Sequence, residues 1–386
     1  MYLDYFDKFK GMSPYLAIDE TEWKYIQETF QKEDVLESMA TVLMTYDLPY
    51  ADISIEDTIS EFQKLKGIKW KELLKEGKWK ARHSYNLDFE WNGKPLYFSR
   101  SNVGNSASNY FQQINRWKVD AAYSPGPVRS WISLRSMISL SKAFYTLKFK
   151  KIDKAAVRSA LSLRKYICSQ FKPNVAKALY DMYGAKTILD FSAGWGDRLC
   201  GFYASDKAET YIGIDPAPNN HEVYKQQSEF YSKQLGWFDT KKSVHLYEAP
   251  AEDWDNSEWI GKVDLIFTSP PYFDTERYSN DDKQSWVRYK NIDSWNKNFL
   301  HKALDNVWAT LKSGGTMIVN IADIYNRPAK SYLKICDPMI EYMKEKSDCL
   351  FEGSLGMEMA VRPNDTGIDG DDKAKFAEPM WVFKKA

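Results

Sequence analysis

The second half of the chain alternates short apolar runs with stretches long enough to form a helix. The runs are KTILDF, TYIGID, SVHLYEA and KVDLIFT, which end at or near Phe191, Asp215, Glu248 and Thr268. Each is rich in β-branched or aromatic residues, and about 20 to 30 residues separate consecutive runs, which leaves room for a crossover helix. This pattern predicts parallel strands in a doubly wound α/β sheet.

Further elements flank these four strands. The segment NVAKALYDMYG has apolar residues at helical spacing and ends on Gly184, a residue that suits a helix C-cap. SWNKNFLHKALDNVWATLKSGG predicts a long amphipathic helix closed by glycines, and TMIVNIA predicts the strand after it. At the C-terminus, CLFEGSLGMEMAVRP and PMWVFKK predict two strands around the acidic run NDTGIDGDD at 364–372, and hence a hairpin at the sheet edge.

Residues 1–140 follow a different pattern. Amphipathic helical pieces such as VLESMATVLMTY precede a polar, aromatic section and the turn YSPGPVRSW. A chain of 386 residues is long for one compact unit. We therefore expect a mainly helical domain over 1–140, a candidate for target recognition, and a second domain over 141–386 with a basic helical lead-in at 141–177.

Charge is distributed unevenly along a chain whose net charge is zero. Residues 141–177 contain ten Lys and Arg residues against one acid, Asp153, whereas the N-terminal stretch is acidic. The chain also has 14 Trp and 25 Tyr, more than its core requires, and surplus aromatics beside cations suit stacking on bases. We expect Lys150 and Lys151 to contact nucleic-acid phosphates, with a solvated charged face as the alternative.

Several protein classes do not fit this sequence. No apolar run approaches the ~20 residues needed to span a bilayer. The N-terminus, MYLDYFDKFK, has no signal-peptide core, so we expect a cytoplasmic protein. The four cysteines, at 168, 200, 336 and 349, are too dispersed for a zinc pattern, which predicts reduced thiols and no metal site.

The first chemical signal is the segment LDFSAGWGDRLCGF. A strand ending at Asp190 leads into a turn containing Gly194 and Gly196, and a helix opens directly afterwards. Glycines let a ligand approach the backbone closely, and a helix N-terminus offers free amides, although such glycines can also be purely structural. Leu199 replaces the third glycine of G-x-G-x-x-G, so this turn is not a dinucleotide fingerprint.

Two further strand ends carry polar groups. Asp215 ends the second strand, where an acid is the usual acceptor for ribose hydroxyls. The third strand leads into EAPAEDW, where Ala251 and Glu252 are placed to contact an adenine edge. With Ser269 after the fourth strand, four successive strand ends converge on one crevice, where open parallel sheets bind ligands.

In this order, DFSAGWGD, GIDPAP, PAEDW and TSPPYF resemble motifs I to IV of the S-adenosylmethionine-dependent amino methyltransferases, which methylate exocyclic amines of adenine or cytosine in DNA. The resemblance covers roughly residues 170–386, and FKPNVAKAL resembles the motif X segment. It implies a seven-stranded Rossmann-like sheet, S-adenosylmethionine as cofactor, and DNA as partner, with a restriction endonuclease of matching specificity as a further partner. The residues that this chain has beyond the methyltransferase motifs lie on the N-terminal side of those motifs. This position leaves the location of target recognition open.

The resemblance also implies the residues of the site. The catalytic residues are Ser269, Pro270, Pro271 and Tyr272. The cofactor-binding residues are Lys172, Pro173, Asp190, Phe191, Ser192, Ala193, Gly194, Gly196, Asp215, Pro216, Ala251, Glu252 and Thr268.

The tetrapeptide SPPY has a chemical interpretation of its own. An exocyclic amine is a poor nucleophile because its lone pair is delocalised, and two acceptors aimed at its N–H bonds counter that delocalisation. The Ser269 side chain and the Pro270 carbonyl are such acceptors, and two prolines hold the carbonyl still. Tyr272 then stacks on a base that has left the duplex. A rigid turn that merely ends a strand is the structural alternative.

Substrate choice stays open between several acceptors. In the family, Ser at the first position is associated with N4 of cytosine and Asp or Asn with N6 of adenine, so cytosine is favoured. RNA or protein glutamine is a further alternative, and a nucleic-acid-binding protein without activity belongs to a different class. The loop after Tyr272, FDTERYSNDDKQSWVRYKN, is long and polar, and its Arg277 and Arg288 are candidates for phosphate contacts or for a solvated surface.

Overall fold

A computed structural model describes residues 1–82, 85, 89–326, 328–360 and 374–386. Short 3₁₀ helices lie at Asp4–Phe9, Ala251–Asp253 and Ser257–Trp259, and a π-helical segment lies at Asn296–His301. The α-helices are α1 (Glu20–Thr29), α2 (Lys32–Leu43), α3 (Ile55–Gly67), α4 (Trp70–Leu73), α5 (Asn105–Lys118), α6 (Pro127–Trp131), α7 (Leu134–Thr146), α8 (Lys154–Arg164), α9 (Pro173–Tyr183), α10 (Asp197–Ala204), α11 (Pro218–Lys233), α12 (Ser285–Arg288), α13 (Ile292–Trp295), α14 (Lys302–Trp308) and α15 (Cys336–Lys344).

The strands follow the same chain order. They are β1 (Leu74–Glu76), β2 (Trp79–Lys80), β3 (Leu96–Phe98), β4 (Asp120–Ala121), β5 (Thr187–Asp190), β6 (Thr210–Ile214), β7 (Ser243–Tyr247), β8 (Val263–Thr268), β9 (Glu276–Arg277), β10 (Leu311–Asn320), β11 (Ile324–Asn326), β12 (Ser331–Leu333), β13 (Cys349–Glu358) and β14 (Lys375–Lys385).

The chain divides into two compact units. Unit 1 comprises 1–52, 113–169 and 276–278, and unit 2 comprises 53–112, 170–275 and 279–386. Within its described residues, unit 1 is mainly helical, with one short pair of strands, β4 and β9. Its core joins apolar side chains of α1, α2, α7 and α8, among them Trp23, Met39, Phe144 and Leu161.

Unit 2 is built on a twisted sheet whose central strands run in the order β7-β6-β5-β8-β10-β14-β13. The pairs from β7 to β10 are parallel, β14 is antiparallel to β10 and β13, and the short strand β2 pairs in parallel with the start of β14. The order reverses between β5 and β8, which marks the switch point of a doubly wound sheet. The predicted seven-stranded, mostly parallel α/β sheet is therefore confirmed.

Both faces of this sheet are covered. Successive strand residues point to opposite faces, so Ile188 and Leu265 pack in one apolar core with α9, α10 and α11. Leu189 and Ile266 pack in the other core with the helical segments at 292–308 and α15. Burial on both faces explains why the strands are continuous apolar runs in the sequence.

Several predicted elements are confirmed, with two differences in detail. The C-cap at Gly184 is left-handed, with φ of 59°. The predicted long helix ends at Trp308, and Gly314 and Gly315 lie instead in an irregular part of β10, where the register with β8 shifts. The predicted C-terminal hairpin is β13–β14, but β3 and β1 extend the sheet beyond β13, so it is not the edge. The acidic run at 364–372 lies outside the described residues.

The division of the chain differs from the predicted split at residue 140, which falls inside α7. Residues 53–112 belong to unit 2 because β3 pairs with β13 and because Phe62 and Leu65 of α3 pack into the core beside α9. The basic lead-in at 141–177 is also not one helix. It contains the end of α7, all of α8 and the start of α9, and its last cation, Lys177, is fully buried and paired with Asp181 at 2.6 Å.

Two observations bear on protein class. Among the helices in the described ranges, none combines the length and the apolar character that a membrane-spanning segment requires. The four cysteines are free thiols; Cys168, Cys200 and Cys336 are buried, and Cys349 is half-buried.

Helices α9 and α10 approach each other so closely that position 201 tolerates only glycine. A Cβ at Gly201 would lie 2.7 Å from the Pro173 carbonyl oxygen and 2.8 Å from the Ala176 Cβ. We predict that Gly201→Ala lowers the free energy of unfolding by about 1 to 3 kcal/mol, because overpacking forces the helices apart. Gly67→Ala is the matched control, since a Cβ there meets no atom within 4 Å. Urea unfolding followed by circular dichroism measures both; equal stability of the two variants would contradict the close packing.

Candidate active site

The carboxyl ends of β8, β5, β6 and β7 lie side by side along one edge of the sheet of unit 2. The glycine turn follows β5, Asp215 follows β6, the segment with Ala251 follows β7, and Ser269 follows β8. Since parallel neighbours present their carboxyl ends to the same edge, the predicted cofactor residues of these strands and the tetrapeptide lie together there.

Asp190, the last residue of β5, is fully buried and accepts four hydrogen bonds from described residues. Its Oδ2 accepts from Arg198 Nε and from the Tyr211 hydroxyl, both at 2.7 Å. Its Oδ1 accepts from the Thr268 hydroxyl at 2.9 Å and the Ser192 amide at 3.3 Å. A carboxylate has about four acceptor positions, so Asp190 and Thr268 join β5, β6 and β8 rather than face a ligand.

The turn after β5 is fixed by backbone conformation and by close packing. Gly194 and Gly196 both have positive φ, 58° and 73°. The Ala193 amide donates to the Ile214 carbonyl at 3.0 Å, which ties the turn to β6. A Cβ at Gly196 would lie 2.0 Å from Gln227 Oε1, so no other residue fits there without displacing Gln227.

Asp215 connects the end of β6 to this turn. Its Oδ2 accepts the Gly194 amide at 2.9 Å, and its Oδ1 accepts the Ala217 amide at 2.9 Å and the Asn220 side chain at 3.3 Å. Burial raises the pKa of the Asp215 carboxyl above its ordinary value, although these amide donors oppose the shift. A carboxylate thus stands beside the glycine turn, at the position predicted for the ribose acceptor.

The remaining residues around these two strand ends differ in their exposure. Phe191 and Ala193 are buried and pack in the apolar cores. Ser192 and Pro216 are half-buried. The side chains of Phe191 and Ala193 are therefore part of the apolar cores, whereas those of Ser192 and Pro216 are partly accessible.

The segment that resembles motif X lies against the start of α10. Lys172 donates to Asn102 Oδ1 at 2.9 Å, and Pro173 is the buried first residue of α9. The buried carboxylate of Asp197, the first residue of α10, accepts from Gln170 Nε2 at 2.9 Å. Through these contacts, the segments that precede α5 and α9 lie next to the first residue of α10, the helix after the glycine turn.

The segment after β7 carries an ion pair. Ala251 is buried, and the side chain of Glu252 is 2% exposed. Arg288 contacts Glu252 at 2.5 Å and Asp253 at 2.7 Å, and the Tyr289 hydroxyl donates to Glu252 at 3.1 Å. Burial raises the pKa of Glu252 even though Arg288 opposes the shift. In this arrangement Arg288 neutralises carboxylates, which differs from the predicted phosphate contact.

Three predicted nucleic-acid contacts lie in unit 1. Lys150 and Lys151 are exposed, and their ion pairs with Glu20 at 3.5 Å and Asp153 at 2.9 Å are exposed or half-exposed. Arg277 lies in β9 and is half-buried. Exposed ion pairs are weak, so the two lysines are accessible to a partner of higher charge density.

The tetrapeptide follows β8 directly. Ser269 is half-buried and Pro270 is buried, and neither the Ser269 hydroxyl nor the Pro270 carbonyl is hydrogen-bonded to any residue that the structure describes. Tyr272 donates its hydroxyl to Glu378 Oε1 at 2.6 Å. The bond from Thr268 to Asp190 holds this strand end beside the glycine turn. Two acceptors on consecutive residues are therefore available at the switch point.

Comparison with known proteins supports a methyltransferase. Residues 263–362, roughly a quarter of the chain, match a family described as DNA methylase, and this range contains the tetrapeptide. No curated protein matches the chain significantly. S-adenosylmethionine is the cofactor of this class of enzyme, in agreement with the cofactor predicted from the motifs.

Solved structures of methyltransferases resemble the chain only distantly. The N-methyltransferase NodS from Bradyrhizobium japonicum WM9 is 10% identical, with a TM-score of 0.34 over 55% of this chain and 93% of its own. A putative S-adenosylmethionine-dependent methyltransferase from Listeria monocytogenes is 14% identical, with a TM-score of 0.32 over 55% and 95%. Similarity at this level does not support a conclusion about fold or function. The fold assignment therefore rests on the strand order of this chain.

Sequence reasoning missed three residues that organise the site. Arg198 lies in the first turn of α10, where a cation is disfavoured by the helix dipole, and this placement is a signal that a carboxylate lies nearby. Tyr211 and Glu378 carry no local signal. Their partners, Asp190 and Tyr272, are 21 and 106 residues away, and only the order of the strands brings them together.

We predict that Asp215→Ala weakens binding of S-adenosylmethionine by about 1 to 3 kcal/mol, because the ribose hydroxyls lose a charged acceptor. Isothermal titration calorimetry measures the dissociation constant, and a thermal melt checks that the variant is folded. Glu229→Ala, at an exposed position of α11, is the control and should bind as the wild type does. A dissociation constant unchanged by Asp215→Ala would remove Asp215 from the site.

Proposed function

We propose that this protein transfers a methyl group from S-adenosylmethionine to an exocyclic amine of a DNA base, with N4 of cytosine as the favoured acceptor. The observation that carries the proposal is the tetrapeptide at the end of β8. It offers the Ser269 hydroxyl and the Pro270 carbonyl without partners among the described residues, inside the segment that matches the DNA methylase family.

The chemistry assigned to these residues is electrostatic. As the amine attacks, its nitrogen becomes tetrahedral and its N–H bonds become more polar. The Ser269 hydroxyl oxygen and the Pro270 carbonyl accept hydrogen bonds from those N–H groups, and one proton passes from the methylated nitrogen to solvent. Because Pro270 and Pro271 fix the backbone, the acceptors need little reorganisation during the reaction. Tyr272 supplies an aromatic face for the base, as expected where a nucleotide must leave the duplex to be modified.

The residues around the glycine turn fit the cofactor. Asp215 provides a buried carboxylate for the ribose hydroxyls, and the half-buried Gly194 leaves the turn accessible on one side. Ala251 and Glu252 line the next strand end, where the adenine ring is expected. When bound, S-adenosylmethionine supplies an activated methyl group. The protein supplies the groups that orient cofactor and amine toward each other.

The first residue of the tetrapeptide decides our choice of base. Ser is associated with cytosine N4 in the family that the motifs resemble, so adenine N6 is the alternative within DNA. RNA and protein glutamine are further acceptors for related tetrapeptides. A nucleic-acid-binding protein without turnover is the competing class, and measured methylation separates it from all the others.

The decisive experiment incubates the protein with DNA and isotopically labelled S-adenosylmethionine, then identifies the methylated nucleoside by mass spectrometry. N4-methylcytosine is the expected product, and N6-methyladenine would revise the base. Parallel reactions with RNA and with glutamine-containing peptide test the other acceptors. No labelled product on any of them would refute the proposal.

We predict that Ser269→Ala lowers kcat by about 10²- to 10³-fold, as the loss of one oxyanion-hole donor does, because this acceptor is needed mainly in the transition state. Affinities for cofactor and DNA should change little. Ser347→Ala, an exposed serine outside the site, is the control. Steady-state kinetics measure the effect; turnover at the wild-type rate would mean that the proline turn is only architecture.

The basic segment provides a second prediction, for DNA binding. Reversing Lys150 and Lys151 to Glu should weaken binding to every DNA sequence and flatten its dependence on salt, because fewer counterions are released. Cofactor affinity should not change. Charge reversal of Lys24 and Lys32, exposed lysines of the acidic N-terminal stretch, keeps the same net charge as a control. Fluorescence anisotropy at several salt concentrations measures both; unaffected DNA affinity at low salt would identify the segment as a solvated face.

A further inference from the structure

The hydroxyl of Tyr272 forms a hydrogen bond that joins the tetrapeptide to a distant part of the chain. It donates to Glu378 Oε1 at 2.6 Å, across a separation of 106 residues. Glu378 lies in β14, opposite Met357 of β13. The partner of the predicted base-stacking ring is thus a carboxylate from the antiparallel strand near the end of the chain.

The contact rests on a rigid support. The strand β14 is paired on both sides, with β10 and with β13. The next residue, Pro379, accepts a hydrogen bond from the buried Asn320 side chain at 3.0 Å. Burial raises the pKa of Tyr272 well above its ordinary value, so the phenol stays protonated and remains a donor. A bond from a neutral hydroxyl to a carboxylate is charge-assisted and short, as observed here.

The backbone alone does not orient the ring. The Thr275 amide donates to the Tyr272 carbonyl at 3.0 Å, and Phe273 has a left-handed backbone with φ of 49° and is buried. These features define the path of the chain after the tetrapeptide. Two side-chain torsions of Tyr272 stay adjustable, and each has alternative wells. Packing against the apolar core restricts the ring, and the bond to Glu378 fixes its hydroxyl end.

We infer that Glu378 is a positioning residue that sets the ring of Tyr272 for stacking on the target base. The inference rests on the proposed function, since stacking presupposes a base in the site. Glu378 acts through Tyr272 and takes no part in the transfer of the methyl group. The role of Glu378 depends on its hydrogen bond to Tyr272. A side chain of the same shape that keeps an acceptor should therefore preserve this role, and an apolar side chain should not.

The test uses the full chain and three variants. Tyr272→Phe removes only the hydroxyl, Glu378→Leu removes the acceptor, and Glu378→Gln keeps one. Because a ring displaced by about 1 Å costs up to about 10²-fold in rate, we expect kcat to fall about 10- to 100-fold in Tyr272→Phe and Glu378→Leu. KM for S-adenosylmethionine should stay at the wild-type value. Glu378→Gln should keep most of the rate.

A double variant separates positioning from general stability. Tyr272→Phe combined with Glu378→Leu should be no slower than either single variant, because both remove the same bond. Tyr325→Phe and Glu341→Leu, at exposed positions of β11 and α15, are the matched controls and should retain the wild-type kcat. Additive losses in the double variant, or a wild-type rate in Glu378→Leu, would overturn the inference.

Hydrogen–deuterium exchange provides a readout that does not need activity. Amides of peptides spanning 272–276 should exchange at least several-fold faster in Tyr272→Phe and Glu378→Leu than in the wild type and Glu378→Gln. Should the wild-type protein methylate none of the acceptors, the proposed function fails. Faster exchange then still supports Glu378 as the group that fixes Tyr272, and unchanged exchange overturns it.

Discussion

The site depends on one buried carboxylate. Asp190 ends β5 and is bonded to Arg198 of α10, Tyr211 of β6 and Thr268 of β8. Removing one partner of a buried, hydrogen-bonded ion pair costs roughly 3 to 5 kcal/mol, because the other charge is left without compensation. This penalty reinforces the order of β6, β5 and β8, which are already paired through their backbones. The bond between Thr268 and Asp190 holds the glycine turn and the tetrapeptide next to each other at the same edge of the sheet. The distance between these two segments therefore depends on Asp190 and on neither segment alone.

A second constraint is added by the antiparallel strand. β14 lies between β10 and β13, and its residue Glu378 bonds Tyr272, which follows β8, two strands away in the sheet. Asp190 therefore fixes the backbone at the start of the tetrapeptide, whereas Glu378 fixes the aromatic ring at its end. Between them, Ser269 and Pro270 keep acceptors that no described residue uses. Structural bonds hold the two ends of the tetrapeptide, and the two acceptors that we propose for the amine lie between them.

The sequence predicts this fold well wherever a pattern is local and long. Four parallel strands and the C-cap at Gly184 follow from apolar runs and one glycine, and the order of the strands along the chain implies a parallel sheet. Prediction fails where short segments gain their structure from distant partners. The strand β3 has only three residues and is joined to the central sheet through its pairing with β13, so no local signal assigns 53–112 to unit 2. Composition therefore predicts a boundary near residue 140, whereas packing places 53–112 in unit 2.

The same distinction explains the site residues. Motif positions such as Gly194, Asp215 and Ser269 are identifiable because backbone conformation or reaction chemistry restricts the residue types that serve there. What a motif does not reveal is whether a polar group faces a ligand or the protein. Asp190 and Asp215 both end parallel strands and look equivalent in sequence. The first accepts from two side chains of neighbouring strands, one of α10 and a single backbone amide, whereas the second accepts two backbone amides beside the glycine turn and one side chain of α11. A carboxylate surrounded by side chains from several strands maintains the sheet, and one held by a loop backbone at the strand edge is the better candidate for a ligand.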